Sequence, residues 1–127
     1  MLKRVTNITY WASEDLKTSA DFYVAVGFEL ENIDERWASV KLGDFHIVLL
    51  PPSQGDAEFD KDRLSQSKGE GAYLYVEADD VDQLYDELKT KGLQPSSQPR
   101  DWPWGNREFV IKDPNGYKLC FWQLAAK

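Results

Sequence analysis

Apolar residues recur at every third or fourth position in two segments of the chain, 15–26 and 80–91. This spacing is typical of a helix that buries one side. Each segment starts with an Asp, which can cap a helix N-terminus, and each is followed by a glycine, Gly27 or Gly92. The pattern therefore predicts two helices, Asp15–Val26 and Asp80–Lys91, whose first residues are 65 positions apart.

Runs of alternating apolar and polar residues, which are typical of strands, surround both helices. One run precedes each helix and three runs follow it. The pattern therefore predicts an α+β fold made of two tandem βαβββ modules. The predicted strands are Val5–Trp11, Phe28–Ile33, Trp37–Leu42 and Phe45–Leu50 in the first module, and Gly71–Glu77, Leu93–Ser97, Arg107–Ile111 and Tyr117–Leu124 in the second.

A chain of 127 residues is long enough for one domain with a hydrophobic core. We predict a single domain over 1–127, with module one at about 1–52, a polar linker at about 53–70 and module two at about 71–127. Because this linker is longer than most loops, it is either functional or partly mobile. Its large apolar residues, Phe59 and Leu64, either pin it to the protein or are simply exposed.

The chain is acidic, with 22 Asp and Glu against 15 Lys and Arg and a formal charge of −7. Nucleic acid binding is not expected, because phosphate recognition needs a basic surface. The acidic field would favour a cationic ligand, and the alternative is charge that only keeps the protein soluble. With one Cys, no apolar run of membrane-spanning length and no apolar stretch after Met1–Arg4, we expect a cytoplasmic protein without disulfides or membrane association.

Two motifs carry a family resemblance. Asp15–Phe28 reads Asp-Leu-x-x-Ser-x-x-Phe-Tyr-x-x-x-Gly-Phe, and Trp104-Gly-Asn-Arg-Glu-Phe is followed by Asp113-Pro-Asn-Gly. Paired βαβββ modules with these motifs resemble the vicinal-oxygen-chelate superfamily, the glyoxalase/bleomycin-resistance/dioxygenase group, and most of all its non-metal, bleomycin-resistance-like branch. The resemblance implies two modules whose sheets form a cup-shaped cavity, often completed in a homodimer. It does not by itself define a function.

The resemblance also indicates where metal ligands would lie. Metal-using members carry His or Gln on the first strand, His on the fifth, and Glu on the fourth and eighth. The matching positions here are Ile8, Tyr73, either His46 or Val48, and Cys120. A divalent cation needs several converging His, Asp or Glu side chains, so we expect no metal and no cofactor.

A register shift of one residue would bring Asn7 to the first of these positions, and the chain still has no second histidine. His46 is predicted to face the cup. It is either a general base that needs an orienting partner, or a polar residue that binds ligand or lies at the rim. Cys120 is either a nucleophile that needs a nearby base, or a small apolar filler.

Aromatic residues line the predicted cup, where Tyr10 would join them from the first strand. Aromatic walls suit a planar or cationic organic ligand, although the same rings can serve as core or dimer-interface packing. We find no catalytic residue among the candidates. The predicted ligand-binding residues are Trp37, His46, Tyr73, Tyr75, Trp102, Trp104, Cys120 and Trp122.

These observations favour a homodimeric, ligand-sequestering protein of the bleomycin-resistance type that binds a small organic molecule without metal catalysis. A cationic aromatic compound is one candidate ligand. One alternative is a glyoxalase- or dioxygenase-type enzyme, a lyase, isomerase or oxygenase, with a degenerate or unusual site. Another is a dimeric domain that binds no ligand.

Overall fold

The computed structural model describes residues 1–126, which divide into two compact units. The first unit is Met1–Lys68, and the second begins at Gly69. The predicted linker therefore falls mostly in the first unit, where Phe59 and Leu64 are 83% and 59% exposed. Of the two alternatives for these residues, the structure shows exposure.

The first unit contains one helix and a four-stranded mixed sheet. Its elements are β1 Ile8–Trp11, α1 Leu16–Val26, β2 Glu29–Ile33, β3 Ala38–Leu42 and β4 Phe45–Leu50. In the sheet, β1 lies parallel to β4, and β4, β3 and β2 follow as antiparallel neighbours in the order β1-β4-β3-β2. Two short 3-10 turns, Pro52–Gln54 and Lys61–Leu64, follow the last strand.

The second unit contains the elements β5 Tyr73–Glu77, α2 Val81–Thr90, β6 Arg100–Asp101, β7 Asn106–Lys112 and β8 Lys118–Leu124. It repeats the arrangement of the first unit, with β5 parallel to β8 in the order β5-β8-β7-β6. The predicted α+β class and the two tandem βαβββ modules are thus confirmed. No helix among the described residues is both long enough and apolar enough to cross a membrane.

Both predicted helices are confirmed to within a residue, with their Asp residues as N-caps. Oδ1 of Asp15 accepts a hydrogen bond from the Thr18 N–H at 3.1 Å. Oδ1 of Asp80 accepts one from the Gln83 N–H, also at 3.1 Å. After the first helix, Gly27 adopts a φ of 123°, a conformation that side chains disfavour and that ends the helix.

Each helix packs on one face of its own sheet, and this face holds the hydrophobic core. We call the opposite face of each sheet its open face. Because successive strand residues point to opposite sides, core positions alternate with open-face positions along β3, β4, β7 and β8. The buried core positions include Tyr23, Ala38, Val40, Ile47 and Leu49 in the first unit, and Val81, Leu88, Phe109, Ile111, Leu119 and Phe121 in the second.

The predicted strand Leu93–Ser97 is wrong, because β6 is only Arg100–Asp101. Proline has no N–H to donate to a ladder, and Pro95 and Pro99 prevent a regular strand here. The segment still follows β7, since the Ser96 N–H donates to the Val110 carbonyl at 2.8 Å. A side chain substitutes for the next ladder bond: the Val110 N–H donates to Ser97 Oγ at 3.0 Å.

The number of residues between the first strand and the helix differs between the two units. The N–H of Ala12 donates to the carbonyl of Leu50 at 2.7 Å, and the N–H of Ala78 donates to that of Trp122 at 2.9 Å. Ala12 therefore corresponds to Ala78, an offset of 66 positions against 65 for the helix caps. The first unit has two residues between this alanine and the capping Asp, and the second unit has one.

This difference corrects the predicted register of the first strand. Ile8 pairs with the fully buried Ile47, on the helix side, whereas Tyr73 lies on the open face. With the offset of 66, Asn7 corresponds to Tyr73, so the assignment of Ile8 to that position was wrong. Tyr10 pairs with the buried Leu49 and also lies on the helix side, so its predicted place in the lining was wrong.

Candidate functional site

Six of the eight predicted site residues lie in the second unit. Tyr73 and Tyr75 on β5, together with Cys120 and Trp122 on β8, project from the open face, because the alternate positions on both strands face helix α2. Trp102 and Trp104 lie in the turn between β6 and β7. The structure therefore places these six residues in or beside one sheet, and the hydrogen bond from Trp104 Nε1 to Glu108 brings Trp104 over its open face.

Glu108 on β7, which the sequence analysis did not select, lies at the centre of this open face. It is only 4% exposed and pairs across the ladder with Trp122. Its Oε1 accepts a hydrogen bond from Tyr75 Oη at 3.1 Å. Its Oε2 accepts bonds from Trp104 Nε1 and Asn106 Nδ2, both at 3.2 Å. The Cys120 thiol is a further hydrogen-bonding partner.

Glu108 carries its negative charge in this buried position. Burial alone would raise the pKa of its carboxyl, but the hydrogen bonds from Trp104, Asn106, Cys120 and Tyr75 together outweigh burial and hold that pKa below its ordinary value. None of the ion pairs among residues 1–126 includes Glu108. The carboxylate is thus held by dipoles rather than by a cation.

Cys120 is 1% exposed and lies in hydrogen-bonding contact with both Glu108 and Tyr75. Burial, followed by the charge of Glu108, raises the pKa of its thiol to about 12. A thiol that stays protonated at neutral pH is a poor nucleophile. The environment favours the filler interpretation of Cys120 over the nucleophilic one.

The tryptophans form a layered stack. The Arg100 guanidinium carbon lies 3.5 Å from the Trp102 ring centroid, and the rings of Trp102 and Trp104 are 4.8 Å apart at an angle of 14°. Trp104 is nevertheless 58% exposed. Arg100 is the ladder partner of Glu108, yet its charged group lies on Trp102 rather than on the carboxylate.

The tyrosines of β5 are also largely exposed, Tyr73 at 55% and Tyr75 at 49%. Their ring centroids are 6.4 Å apart in an edge contact. Lys118 Nζ lies 4.3 Å from the Tyr73 ring centroid, so a cation of the chain itself already occupies this ring.

The other two predicted site residues, Trp37 and His46, belong to the first unit. Nδ1 of His46 lies 2.8 Å from Oε1 of Glu31, which provides the partner that a general base would need. Trp37 is 42% exposed and has the Arg36 guanidinium 5.4 Å from its ring centroid.

The four positions that the resemblance assigns to metal ligands do not fit a divalent cation. With the offset of 66, Thr9 in the first unit corresponds to Tyr75 in the second. Tyr75 pairs with Cys120, and Thr9 pairs with Val48. The metal-ligand position on the fourth strand is therefore Val48 rather than His46. With the corrected first strand, the set is Asn7, Val48, Tyr73 and Cys120. Among the described residues, no group of three or more His, Cys, Asp or Glu is placed to hold a metal ion.

Glu108, Asn106 and Glu31 were missed in the sequence analysis. The sequence did contain a signal for Glu108. In the predicted strand Arg107–Ile111, Glu108 is the one carboxylate, and it lies on the opposite side of the strand from Phe109. The alternation of β7 alone places it on the open face. Nothing in the local pattern marks Glu31, because it lies where the pairing of β2 with β3 shifts register.

Comparisons with known proteins agree with this architecture. A family model described as Glyoxalase/Bleomycin resistance protein/Dioxygenase superfamily matches residues 7–121. A bleomycin resistance protein of Geobacillus stearothermophilus is 25% identical over 117 residues, which cover 86% of this chain and 89% of that protein. A bleomycin resistance protein of Staphylococcus aureus matches to the same extent.

Solved structures share the fold over nearly the whole chain. A glyoxalase/bleomycin resistance protein/dioxygenase from Nocardioides has a TM-score of 0.78 and 21% identity, covering 98% of this chain and 86% of that one. TnmS3, an antibiotic binding protein from Streptomyces sp. CB03234, has a TM-score of 0.67 and 26% identity, covering 98% of both chains. A lactoylglutathione lyase from Agrobacterium tumefaciens has a TM-score of 0.69 and 20% identity, covering 95% of this chain and 93% of that one.

The matched region includes both modules, from the first strand to the middle of β8, and the predicted family resemblance is confirmed. The chain belongs to the glyoxalase/bleomycin resistance protein/dioxygenase superfamily.

Proposed function

We propose that the protein binds a small organic cation with an aromatic portion at the open face of the second sheet, and that it holds this ligand without converting it. The observation that carries this proposal is the buried carboxylate of Glu108, which has no cationic partner among residues 1–126. It lies beside the exposed rings of Tyr75 and Trp104.

Hydrogen bonds keep Glu108 ionised in its buried position, and a ligand cation would add the opposite charge that no side chain among residues 1–126 supplies. Each exposed aromatic face can add about 0.5–1 kcal/mol of cation–π attraction, and more when water is excluded. The net charge of −7 would also concentrate cations near the protein. Charge, ring area and long-range field therefore favour the same class of ligand.

The family comparisons support binding rather than catalysis. The bleomycin resistance proteins and the antibiotic binding protein TnmS3 are named for what they bind or resist. The likeness to the lactoylglutathione lyase, at 20% identity, concerns the fold alone. The proposed role for this chain is therefore ligand sequestration.

The test is a thermal-shift screen of cationic aromatic compounds, since a ligand of the native state raises the melting temperature. Hits are then titrated calorimetrically against wild type, Glu108→Gln and the matched control Glu70→Gln. Both variants remove one negative charge, but Glu70 is an exposed residue away from the strands. We expect at least a tenfold loss of affinity, about 1.4 kcal/mol, in Glu108→Gln only. Equal affinities in the two variants, or a screen without hits, would contradict the proposal.

A second candidate is an enzyme that uses the His46–Glu31 pair as an acid–base group, and the 2.8 Å contact specifically favours it. The same screen distinguishes this candidate. Mass spectrometry of each bound compound after incubation shows whether it is converted. Conversion that is lost in His46→Gln would favour the enzyme, and recovery of unchanged ligand supports sequestration.

A further inference from the structure

We propose that the site selects quaternary ammonium groups over primary ammonium groups, because donors of the protein already occupy the oxygens of Glu108. This inference rests on the proposed function and specifies its ligand class. It follows from the hydrogen bonds around Glu108 and from the exposed rings of Tyr75 and Trp104, over which no cation of residues 1–126 lies.

The first step is the count of acceptor sites. An ionised carboxylate has about four lone-pair sites. Glu108 receives one hydrogen bond from Tyr75 on Oε1 and two, from Trp104 and Asn106, on Oε2. The Cys120 thiol, which is 1% exposed, lies beside the same carboxylate. The charge of Glu108 remains, but these contacts leave at most one acceptor site for the three N–H donors of a primary ammonium group.

The second step concerns the ring faces. Among the described residues, cations of the chain lie over the rings of Trp37, Tyr73, Tyr85 and Trp102. No such cation lies over Tyr75 or Trp104. Both rings are anchored at their polar ends to the same carboxylate, while about half of each side chain is exposed. The Trp104 ring stacks on Trp102 and the Tyr75 ring contacts Tyr73 edge-on, but no cation of residues 1–126 lies over either ring. Two exposed rings without a cation thus lie next to one buried negative charge.

The third step is the difference between the two kinds of cation. A primary ammonium group has three N–H donors, and each donor that loses water without finding an acceptor is costly. A quaternary ammonium group has no N–H and needs only negative charge and aromatic faces, the combination found in aromatic cages. We therefore expect at least tenfold tighter binding of the quaternary ion.

The test uses two matched probes, benzyltrimethylammonium and benzylammonium, titrated calorimetrically into the full chain. The expected result is a wild-type preference of at least tenfold for the quaternary probe. Tyr75→Phe keeps the ring but removes the donor to Oε1, so it should raise affinity for benzylammonium and lower the preference at least threefold. Asn106→Ala, which removes a donor to Oε2, is a second variant with the same expectation.

The matched control is Tyr85→Phe, the same substitution on helix α2, where the ring packs edge-on against Phe109. It should leave the preference unchanged. Equal binding of both probes, or a preference that Tyr75→Phe and Asn106→Ala leave intact, would overturn this inference while the proposed function stands. Failure of both probes to bind would also overturn this inference. The proposed function is then tested separately, by comparing the affinities of the screening hits for Glu108→Gln and Glu70→Gln.

Discussion

At the scale of single residues, Glu108 determines the chemistry of the second unit. Its hydrogen bonds fix the polar ends of Tyr75 and Trp104 and leave their rings exposed. A tyrosine and a tryptophan that faced the opposite way would hide their aromatic faces and expose polar atoms. One carboxylate thus sets both the charge of the site and the orientation of its aromatic surfaces.

This role gives Glu108 a specific effect on stability as pH changes. Its folded-state pKa is depressed below the ordinary value of 4.5, so the charged form stabilises the fold above that pH. The stabilisation is lost as pH falls from about 4.5 through the folded-state pKa. In urea unfolding, wild type should therefore exceed Glu108→Gln in stability by more at pH 7 than at about pH 3.

Glu70→Gln serves as the control for general charge effects and should show a small, nearly constant difference from wild type. A gap between wild type and Glu108→Gln that stays the same from pH 7 to about pH 3 would contradict the hydrogen-bonded, ionised state of Glu108.

At the scale of elements, the sequence predicted both helices and seven of the eight strands. The failures have local causes. The prolines at 95 and 99 remove N–H groups from the predicted sixth strand. One extra residue before the first helix changes the strand offset to 66, and a one-residue slip moves every side chain to the other face. Helix caps reveal helix starts, but they do not define the register of a neighbouring strand.

The site prediction also succeeded where it depended on strand alternation and failed where it depended on contacts formed by folding. Four predicted residues share the open face of one sheet because alternation on β5 and β8 is visible in the sequence. Trp102 and Trp104 belong to the turn between β6 and β7 of the same unit. Glu108 was missed because its importance depends on Tyr75, Trp104 and Asn106, and these contacts arise only from folding.

The N-cap of the second helix offers a quantitative test. Asp80→Ala removes the side-chain acceptor for the Gln83 N–H and should lower the free energy of unfolding by about 1 kcal/mol. The control is Asp79→Ala, which removes the adjacent exposed carboxylate without removing the cap. Urea unfolding of the three proteins gives the comparison. Equal losses in both variants would show that charge, rather than capping, accounts for the effect.

At the scale of the whole molecule, motifs were more informative than composition. The Asp15–Phe28 pattern and the turn at Asp113 identified the family, whereas composition only excluded classes of protein. Folding as a single domain and assembly into a homodimer remain predictions. Local contacts define the two units, but they do not define how many copies associate.

The net charge of −7 leads to the last prediction, which concerns association with a cationic ligand. Long-range attraction accelerates encounter, and added salt screens it over a Debye length of about 10 Å at 0.1 M. In stopped-flow measurements of tryptophan fluorescence, the association rate constant of a cationic hit should fall several-fold between about 0.02 and 0.5 M NaCl. Its dissociation rate constant should change little, because the bound cation lies beside a buried carboxylate that salt screens weakly.

A neutral hit from the same screen is the control, and its association rate should not depend on salt. If the cationic ligand also associates at a constant rate, the acidic surface does not steer ligands and serves only for solubility. In that case any effect of Glu108→Gln on affinity must come from the buried site alone, because the short-range charge of Glu108 is the part of the electrostatics that salt leaves in place.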